Sequence, residues 1–532
     1  MYVVTSVFVH FNCCQRRLCR LRKGKSDLTR VRKKLAERKV NGECRIARRR
    51  DEFFRIRQFR RVYDRAAGKF TFNISYETHT KPTPRSLVVA EAFGLGIDEA
   101  QKFKVLDAEL QIGLRDIVYI TGDSGSGKSV LLRAIRADLG DEAADLSEVS
   151  VDPEKPLIET VGATVEEALE LLSKVGLNDA FLFLRTYSQL SDGQKYRYRV
   201  AKLIESGKRW WLMDEFCATL DRDTAKIIAF NVQKLARQQG KAVIVATTHG
   251  DLFEDLNPSV HVHKRFGEEI GINYYSNETT VECSLIREMR VEQGSKEDWL
   301  KLCVFHYRGH KFAVPRKIFR LVRGEELCGV IVYSYPPPAC YGRRLVLPRM
   351  SMQEMNKQLS IISRVVIHPK YRTIGLGAKL IHETLPLVGT PYVEVIAVMA
   401  KYNPFAEKAG MQKIAEQQKV ESVSEVSKVL LKLGFDLQLL GSERYVKGRL
   451  ESLSSEQIDE LKAAFIRDKH PRFKKEFAVS RHQPFGKTSD YIACIEKADP
   501  VKMAKLVKLV GMLLQTKVYL FWHAQNEAIA YS

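Results

Sequence analysis

The chain has 532 residues, enough for two or three domains with full-sized cores. It carries 86 Lys and Arg against 64 Asp and Glu, a net charge of +22, and ten cysteines without regular pairing. No run of about eighteen uninterrupted apolar residues occurs, and the apolar stretch 3–11 has neither basic residues before it nor a small-residue cleavage pattern after it. A membrane span and a secretory signal are therefore not expected. The cysteine pattern fits a reducing compartment, and a cytoplasmic location is expected.

The charge is concentrated at the amino-terminal end. Residues 1–70 hold 22 Lys and Arg against 6 Asp and Glu, with Arg16-Arg17, Arg48-Arg49-Arg50 and Arg60-Arg61 interleaved with Phe53, Phe54, Phe59 and Tyr63. Arginine forks suit phosphates and aromatic rings give bases a stacking surface, so residues 1–75 read as a nucleic-acid-binding arm. The plainer alternative is a solvated, partly helical tail lying on the protein's own acidic surface. Cys13, Cys14, Cys19 and Cys44 match no standard zinc-finger spacing and read as ordinary thiols.

Residues 76–280 form the next expected domain. The apolar run 117–120 reads as a buried strand, then Gly122-Asp123-Ser124-Gly125-Ser126-Gly127-Lys128-Ser129 fits G-x-x-x-x-G-K-[ST], and Val130 opens a helix. Glycines let main-chain N–H groups close on phosphate oxygens at the helix's positive end, Lys128 reaches the β- and γ-phosphates, and Ser129 holds Mg²⁺. A second apolar strand, 209–213, ends in Asp214-Glu215, where one carboxylate coordinates the metal and its neighbour polarises water. Between and after them come Leu190-Ser191-Asp192-Gly193-Gln194, Ala218-Thr219-Leu220-Asp221, and a strand, 242–246, leading to Thr247-Thr248-His249.

All five strings lie in order within the 129 residues from Gly122 to Gly250, and together they resemble the ATP-binding-cassette ATPases over roughly residues 85–280. That resemblance implies two cassettes paired head to tail as a homodimer. Glu215 would be the general base, His249 a γ-phosphate contact, and Ser191 with Gly193 trans contacts from the signature loop, with Gln194 and Asp221 of the D-loop also among the ATP-binding residues. Asp192 replaces the usual glycine of that loop. Gln189 is the only glutamine between Ser129 and Leu190 and abuts the signature, so the family's metal-contacting glutamine is missing; Glu159 is the best substitute. That interval is also short for a transporter cassette, which weakens coupling to a membrane subunit. Phe93 and Phe103 are candidates for the aromatic that stacks on adenine.

Past residue 280 the pattern changes. Two strands within 317–335 join at Gly324-Glu325-Glu326, a β-rich run covers 359–368, and Arg372-Thr373-Ile374-Gly375-Leu376-Gly377-Ala378 leads into a helix. Tyr392–Ala397 gives a further strand, followed by a helix and turn over 403–411. The R-x-x-G-x-G spacing in this setting resembles the acyl-CoA loop of the GNAT superfamily of N-acetyltransferases. By that resemblance residues 281–440 form the transferase domain, main-chain groups of Val366, Ile367 and His368 face pantetheine, and Arg372 to Ala378 wrap the pyrophosphate. Where the family often has a tyrosine acid this chain has Ala406, with Tyr402 or Tyr392 as substitutes. Glu394 is a candidate base, against the plainer reading of a strand glutamate facing solvent. Cys303, His306 and His310 have metal-like spacing without an evident fourth ligand; an acceptor pocket of His306, Tyr307 and Arg308, or plain packing, are the other readings. Residues 441–532 read as a mixed extension with a capping box from Ser454 to Gln457 and a strand at 517–522.

The expected fold is thus α/β, a P-loop ABC-type nucleotide-binding domain followed by a GNAT-like α+β mixed-sheet domain, an arrangement resembling a prokaryotic family of such fusions. The expected activity is ATP hydrolysis by a dimer, coupled to acetyl-CoA-dependent transfer onto an amine of RNA or an RNA-associated protein, with ATP, Mg²⁺ and acetyl-CoA as cofactors. Two alternatives stand beside it: a nucleic-acid-clamping ATPase with a non-catalytic GNAT-like module, and the ATPase subunit of a transporter.

Overall fold

The computed structural model describes residues 54–78, 83–95, 101–306, 314–398, 400, 403–417, 424–468, 470, 473, 488–514 and 517–524. The basic arm up to residue 53, and Tyr307, Arg308, His310 and Tyr402, lie outside them. The described residues divide into two compact units, the smaller taking in those within 54–59 and 75–103, the larger those within 60–74 and from 104 on. In the smaller unit a helix, α1 (Pro84–Phe93), opens with a Thr83–Ser86 capping box and closes on Gly94 in the left-handed region.

Strands β1 (Phe54–Asp64), β2 (Lys69–Thr78) and β3 (Gln101–Gln111) make a three-stranded sheet. Phe70, Phe72 and Ile74 alternate into the interior with the period-two spacing of a half-buried strand. The expected arm is corrected here. From residue 54 it is a hairpin rather than a tail, and Tyr63 stacks on Phe70 at 4.1 Å, so its ring is committed to the protein's own core. Arg61 pairs with Asp138 at 2.8 Å.

The cassette is built on a six-stranded sheet in the order β5-β6-β7-β4-β8-β9: β4 (Ile117–Thr121), β5 (Ala143–Asp145), β6 (Trp210–Met213), β7 (Ala242–Ala246), β8 (Val260–Lys264) and β9 (Ile270–Tyr274). All pair in parallel except the last, which turns back on β8. The near-continuous apolar runs of β4, β6 and β7 are buried on both faces, as parallel strands covered by helices require. The flanking helices are α2 (Lys128–Leu139), α3 (Val165–Lys174), α4 (Asp192–Glu205) and α5 (Arg222–Gln239). Because the strands are parallel, the chain leaves β4, β5, β6 and β7 at one edge, and the motifs converge there.

The second sheet has seven strands in the order β10-β11-β12-β13-β14-β16-β15: β10 (Met289–Gln293), β11 (Pro315–Arg323), β12 (Glu326–Ser334), β13 (Leu359–Ile367), β14 (Tyr392–Ala397), β15 (Gln412–Gln417) and β16 (Lys517–His523). Its helices are α6 (Lys296–Leu302), α7 (Met352–Gln358) and α8 (Leu376–Thr384). Strand β13 pairs along its length with β12, but with β14 only from Leu359 to Ile361, in parallel. Beyond that point the two strands part. Strand β16, from the carboxyl-terminal segment, inserts between β14 and β15, so the sheet is completed from both sides of a helical insert. The insert, α9 (Ser424–Lys432), α10 (Glu443–Glu451), α11 (Ser455–Asp468), α12 (Thr488–Glu496) and α13 (Pro500–Leu513), has its own apolar core around Leu430, Phe465 and Val507. The Ser454–Gln457 capping box forms as expected, each side chain bonded to the other's main-chain N–H.

The cassette and the second sheet share a seam. Ile227 and Phe230 of α5 pack in the same apolar cluster as Leu321, Tyr371 and Ile374.

Candidate functional site

The P-loop runs from the end of β4 into α2, with Gly127 as the helix N-cap at φ 100°. Its glycines answer to space as well as to conformation. A methyl group on Gly122 would stand 1.9 Å from the Lys264 carbonyl oxygen, and one on Gly127 would stand 2.7 Å from Val105, so neither position admits a side chain. Lys128 is buried and its Nζ donates to the carbonyls of Gly122 and Asp123 at 2.8 and 2.6 Å. Burial lowers its pKa, and the charges of Asp214 and Asp123 oppose that shift. The buried hydroxyl of Ser126 has no hydrogen-bond partner among the described residues. Asp123, Ser124 and Gly125 are exposed, Ser129 and Val130 half-buried.

Asp214 follows β6 and accepts from the Glu215 main-chain N–H at 2.9 Å. Glu215 is exposed and held at φ 49°, and Cys217 at φ 57°, a turn that non-glycine residues rarely adopt. The Phe216 N–H bonds to the Ala246 carbonyl, which ties this turn to β7. His249 follows β7: its N–H donates to the Thr247 hydroxyl at 3.3 Å, and its carbonyl accepts from the fully buried Tyr119 hydroxyl. The topology therefore brings the P-loop, Asp214, Glu215 and His249 to one edge.

Ser191 caps α4, accepting from the Gln194 N–H, while the Gln194 side chain accepts from the Ser191 N–H. This leaves Ser191 and Asp192 exposed at the start of a fourteen-residue helix, where main-chain N–H groups favour an anion. Gly193 is tightly placed, a methyl group there meeting Leu220 at 3.2 Å. Asp221 caps α5 by accepting from the Thr224 N–H.

Glu159 lines a cavity of about 890 Å³ with Arg136, Asp145, Glu148, Tyr198 and Lys202, a lining that includes no residue of the P-loop. The end of β5, at Asp145, leaves the sheet beside Leu212. Sequence reading missed this strand because it is only three residues long, Ala-Ala-Asp. Phe93 and Phe103 are 77% and 48% exposed.

Ser129 and Asp214 carry hard oxygen donors of the kind that would hold Mg²⁺, which would supply charge screening at phosphate oxygens. Lys128 is a buried amine of the P-loop, and Glu215 carries an exposed carboxylate beside Asp214, chemically suited to accept a proton.

In the second domain, the Val366 side chain is buried with Trp299, Leu302, Val330 and Val332, and Ile367 packs on the opposite, inner face. The His368 N–H bonds to the Cys328 carbonyl, and burial lowers the pKa of its ring. Gly375 caps α8 at φ 96°, Gly377 and Ala378 lie in its first turn, and Ile374 and Leu376 are buried beneath. Arg372 is engaged elsewhere: its guanidinium donates to the carbonyls of Ile367 (2.9 Å) and Asn178 (3.0 Å), the latter in the cassette. Thr373 accepts from Asn231 of α5 at 2.9 Å. Lys370, Arg323 and Tyr371 converge on Asp223, at the start of the same helix.

The reading of Glu394 as a solvent-facing glutamate or a free base is overturned. It is fully buried, bonded by Arg343 at 2.6 and 3.0 Å and by the Tyr519 hydroxyl at 3.0 Å. Removing the guanidinium partner of a buried carboxylate is strongly destabilising. Tyr392 stacks on His523 and Phe521, and Ala406 is buried. Cys303 is buried and the His306 ring packs on Trp299.

Over 192 residues the chain is 30% identical to the cytochrome c biogenesis ATP-binding export protein CcmA of Gluconobacter oxydans, covering 32% of this chain and 84% of that protein. It is 26% identical over 188 residues to the energy-coupling factor transporter ATP-binding protein EcfA1 of Thermotoga maritima, covering 30% and 71%. It is 31% identical over 145 residues to the ribosome protection protein VmlR of Bacillus subtilis, covering 27% and 25%. A solved relative is the ATP-binding cassette MJ0796, in a dimeric post-hydrolysis structure with ADP and Pi, at 23% identity and TM-score 0.29, covering 33% of this chain and 92% of that one. No protein-family profile matches. With the P-loop, the Asp214-Glu215 pair and the signature helix in place, the chain belongs to the ATP-binding-cassette ATPases. None of its described helices is long and apolar enough to cross a membrane.

Proposed function

We propose that the cassette works as a head-to-tail homodimer that closes on two ATP molecules, and that this closure acts on an acyl-CoA-binding second domain which transfers an acetyl group to an amine of a macromolecule. The observation that carries the second half is the parting of β13 from β14 after Ile361, which leaves one main-chain edge of residues 363–367 without a strand partner among the described residues, beside the N-terminus of α8. A free strand edge suits the amides of pantetheine, and a glycine-capped helix start suits a diphosphate. With Arg372 and Thr373 bound to the cassette, the diphosphate contacts fall to the main chain of Gly375, Leu376, Gly377 and Ala378.

The loop from Lys370 to Thr373 meets the cassette at Asp223, Asn231 and Asn178. Asn178 precedes the signature helix and Asp223 follows the D-loop, so both contacts lie on segments that a closing dimer rearranges. That placement supports coupling between nucleotide state and the acyl-CoA loop. Acetyl-CoA affinity, and label transfer to tRNA, rRNA and basic proteins, measured with and without ATP, test the reading. Absence of both binding and transfer would remove the transferase half and leave the ATPase.

A second reading, an ATPase that clamps nucleic acid and uses the second domain only to bind a ligand, is favoured by two placements. Glu394 is neutralised by Arg343, and Ala406 stands buried where the resemblance expects an acid. The likeness to a ribosome protection protein also points toward an RNA-bound target. Acetyl-CoA binding without turnover, with RNA-stimulated ATP hydrolysis, would select it. Association with a membrane partner through residues 136–186 would instead select a transporter subunit, as the export and transporter relatives suggest.

A further inference from the structure

The helical insert sorts its charges from one helix to another. Helix α11 carries four carboxylates against two cations, Lys462 and Arg467. Helix α13 carries Lys502, Lys505 and Lys508 and no carboxylate. Its apolar side, Met503, Ala504, Leu506, Val507, Val510 and Leu513, is buried in the insert's own core, and all three lysines are exposed on the other side. Successive lysines are about 4.5 Å apart along the helix axis, close enough for one run of phosphates to meet all of them. Helix α10 packs against α13.

Lysines on a solvated helix are ordinarily matched by nearby carboxylates. Elsewhere in the insert that pattern holds: Lys428 pairs with Glu425 at 2.9 Å, Lys432 with Glu460 at 2.7 Å and Lys447 with Glu443 at 2.8 Å. Lys502, Lys505 and Lys508 make no ion pair among the described residues. On α10, the bond from Lys447 holds the Glu443 carboxyl below its usual range, helped by the charges of Lys508 and Lys505. That acid is thus already paired, and the face keeps an excess of positive charge. Such a face suits a polyanion. Lysine ammonium groups meet phosphates as point charges, and α13 has neither an arginine fork nor an aromatic ring with which to read bases. That chemistry holds a phosphate backbone without selecting sequence. A lipid surface fits less well, because a helix that enters the headgroup layer does so by its apolar side, and that side of α13 is buried in the insert.

We infer that the exposed side of α13 is a binding surface for the phosphate backbone of RNA, contacted by Lys502, Lys505 and Lys508. The next described element after α13 is β16, which pairs with both β14 and β15. RNA held on this helix is therefore tethered to the sheet in which β13 and β14 part. This assignment rests on the RNA-directed reading of the proposed function and is independent of the basic arm.

The test follows binding of labelled tRNA, and of an unrelated mixed-sequence RNA, to the full-length chain as salt is varied. The triple variant Lys502→Gln, Lys505→Gln, Lys508→Gln is compared with the wild type and with Lys155→Gln, Lys208→Gln, Lys301→Gln, which removes the same charge from other exposed positions. The substituted side chains are exposed, so the urea midpoint should match the wild type, and it checks that the fold is kept. Loss of three phosphate contacts should lower the slope of log affinity against log salt by about 2–3 and weaken binding of both RNAs ~10- to 100-fold at low salt. The control triple, and Lys502→Arg, Lys505→Arg, Lys508→Arg, should bind much as the wild type does. RNA binding with an unchanged slope in the α13 glutamine variant would overturn the inference and leave the proposed function standing, whereas a wild type that binds neither RNA would overturn both. An equal loss in the control triple would mark bulk charge, and a loss for one RNA alone would mark base reading; either overturns the inference. So would binding to phosphatidylserine vesicles that needs these lysines while RNA binding does not, which would give the face to a membrane.

Discussion

Replacing Asp223 by asparagine probes the seam between the cassette and the second domain directly. The carboxylate receives Lys370 Nζ at 2.5 Å, Arg323 Nη1 at 2.9 Å and the Tyr371 hydroxyl at 3.4 Å, and its side chain is only 20% exposed. Burial works against its charge, yet the bonds from Lys370 and Arg323 hold its pKa below the usual carboxylate value. A hydrogen bond to a charged group contributes ~1.5–3 kcal/mol, so two such bonds set an upper limit of about 6 kcal/mol. Both cations keep a second partner, Arg323 at Glu288 and Lys370 at Glu326, and solvent screens part of the site. The expected loss is therefore about 2–3 kcal/mol in urea unfolding of the full chain, and a cycle with Lys370→Met should return a coupling of about 1–2 kcal/mol. A depressed pKa contributes stability above the unfolded value, near pH 4, and that contribution disappears as pH falls through the folded value. The wild type and Asp223→Asn should accordingly begin to converge only as pH falls below about 4. If the seam transmits nucleotide state, hydrogen exchange of residues 369–375 should respond to ATP in the wild type and much less in Asp223→Asn. A variant as stable as the wild type, or one with the same exchange response, would refute the reasoning.

Lys128→Ala should abolish ATP binding. Glu215→Gln should keep it and accumulate an ATP-bound dimer, seen by sizing with and without nucleotide; a monomer in ATP would count against head-to-tail pairing. Arg343→Met strands a buried carboxylate at Glu394 and should cost about 3–5 kcal/mol, much of it recovered by adding Glu394→Gln; a single variant of wild-type stability would contradict the buried pair. His261, bonded to Thr121 at 2.9 Å, has its pKa lowered by burial and by the neighbouring His263. Its contribution is fully present above the unfolded value near 6.5 and is lost as pH falls below it, so His261→Phe should flatten the fall in melting temperature between pH 7 and pH 5.

The cassette was legible in the sequence because its chemistry is local. A cradle of main-chain amides needs glycines at fixed offsets, and the run from Gly122 to Ser129 writes them out; Asp214-Glu215 and His249 follow apolar strands whose ends can be read directly. The second domain was legible as strands and turns, β11, β12 and β14 falling where alternation and glycines put them. Strand β5 was missed because three residues are too short to carry a period, and the edge at which a strand's end emerges is set by its neighbours. Glu394 looked exposed because no local pattern reveals an arginine 51 residues away.

The sequence by itself determined the glycines of the P-loop, the carboxylate pair that ends β6 and the helix caps, since each is satisfied by residues within a few positions of one another. Only the tertiary structure decided where β13 leaves β14, that β16 returns from beyond the helical insert to complete the sheet, and that Arg372 and Lys370 hold the cassette. These depend on which distant groups can supply the hydrogen bonds and counter-charges that a buried edge or ion demands, and the order of residues along a chain does not specify that choice.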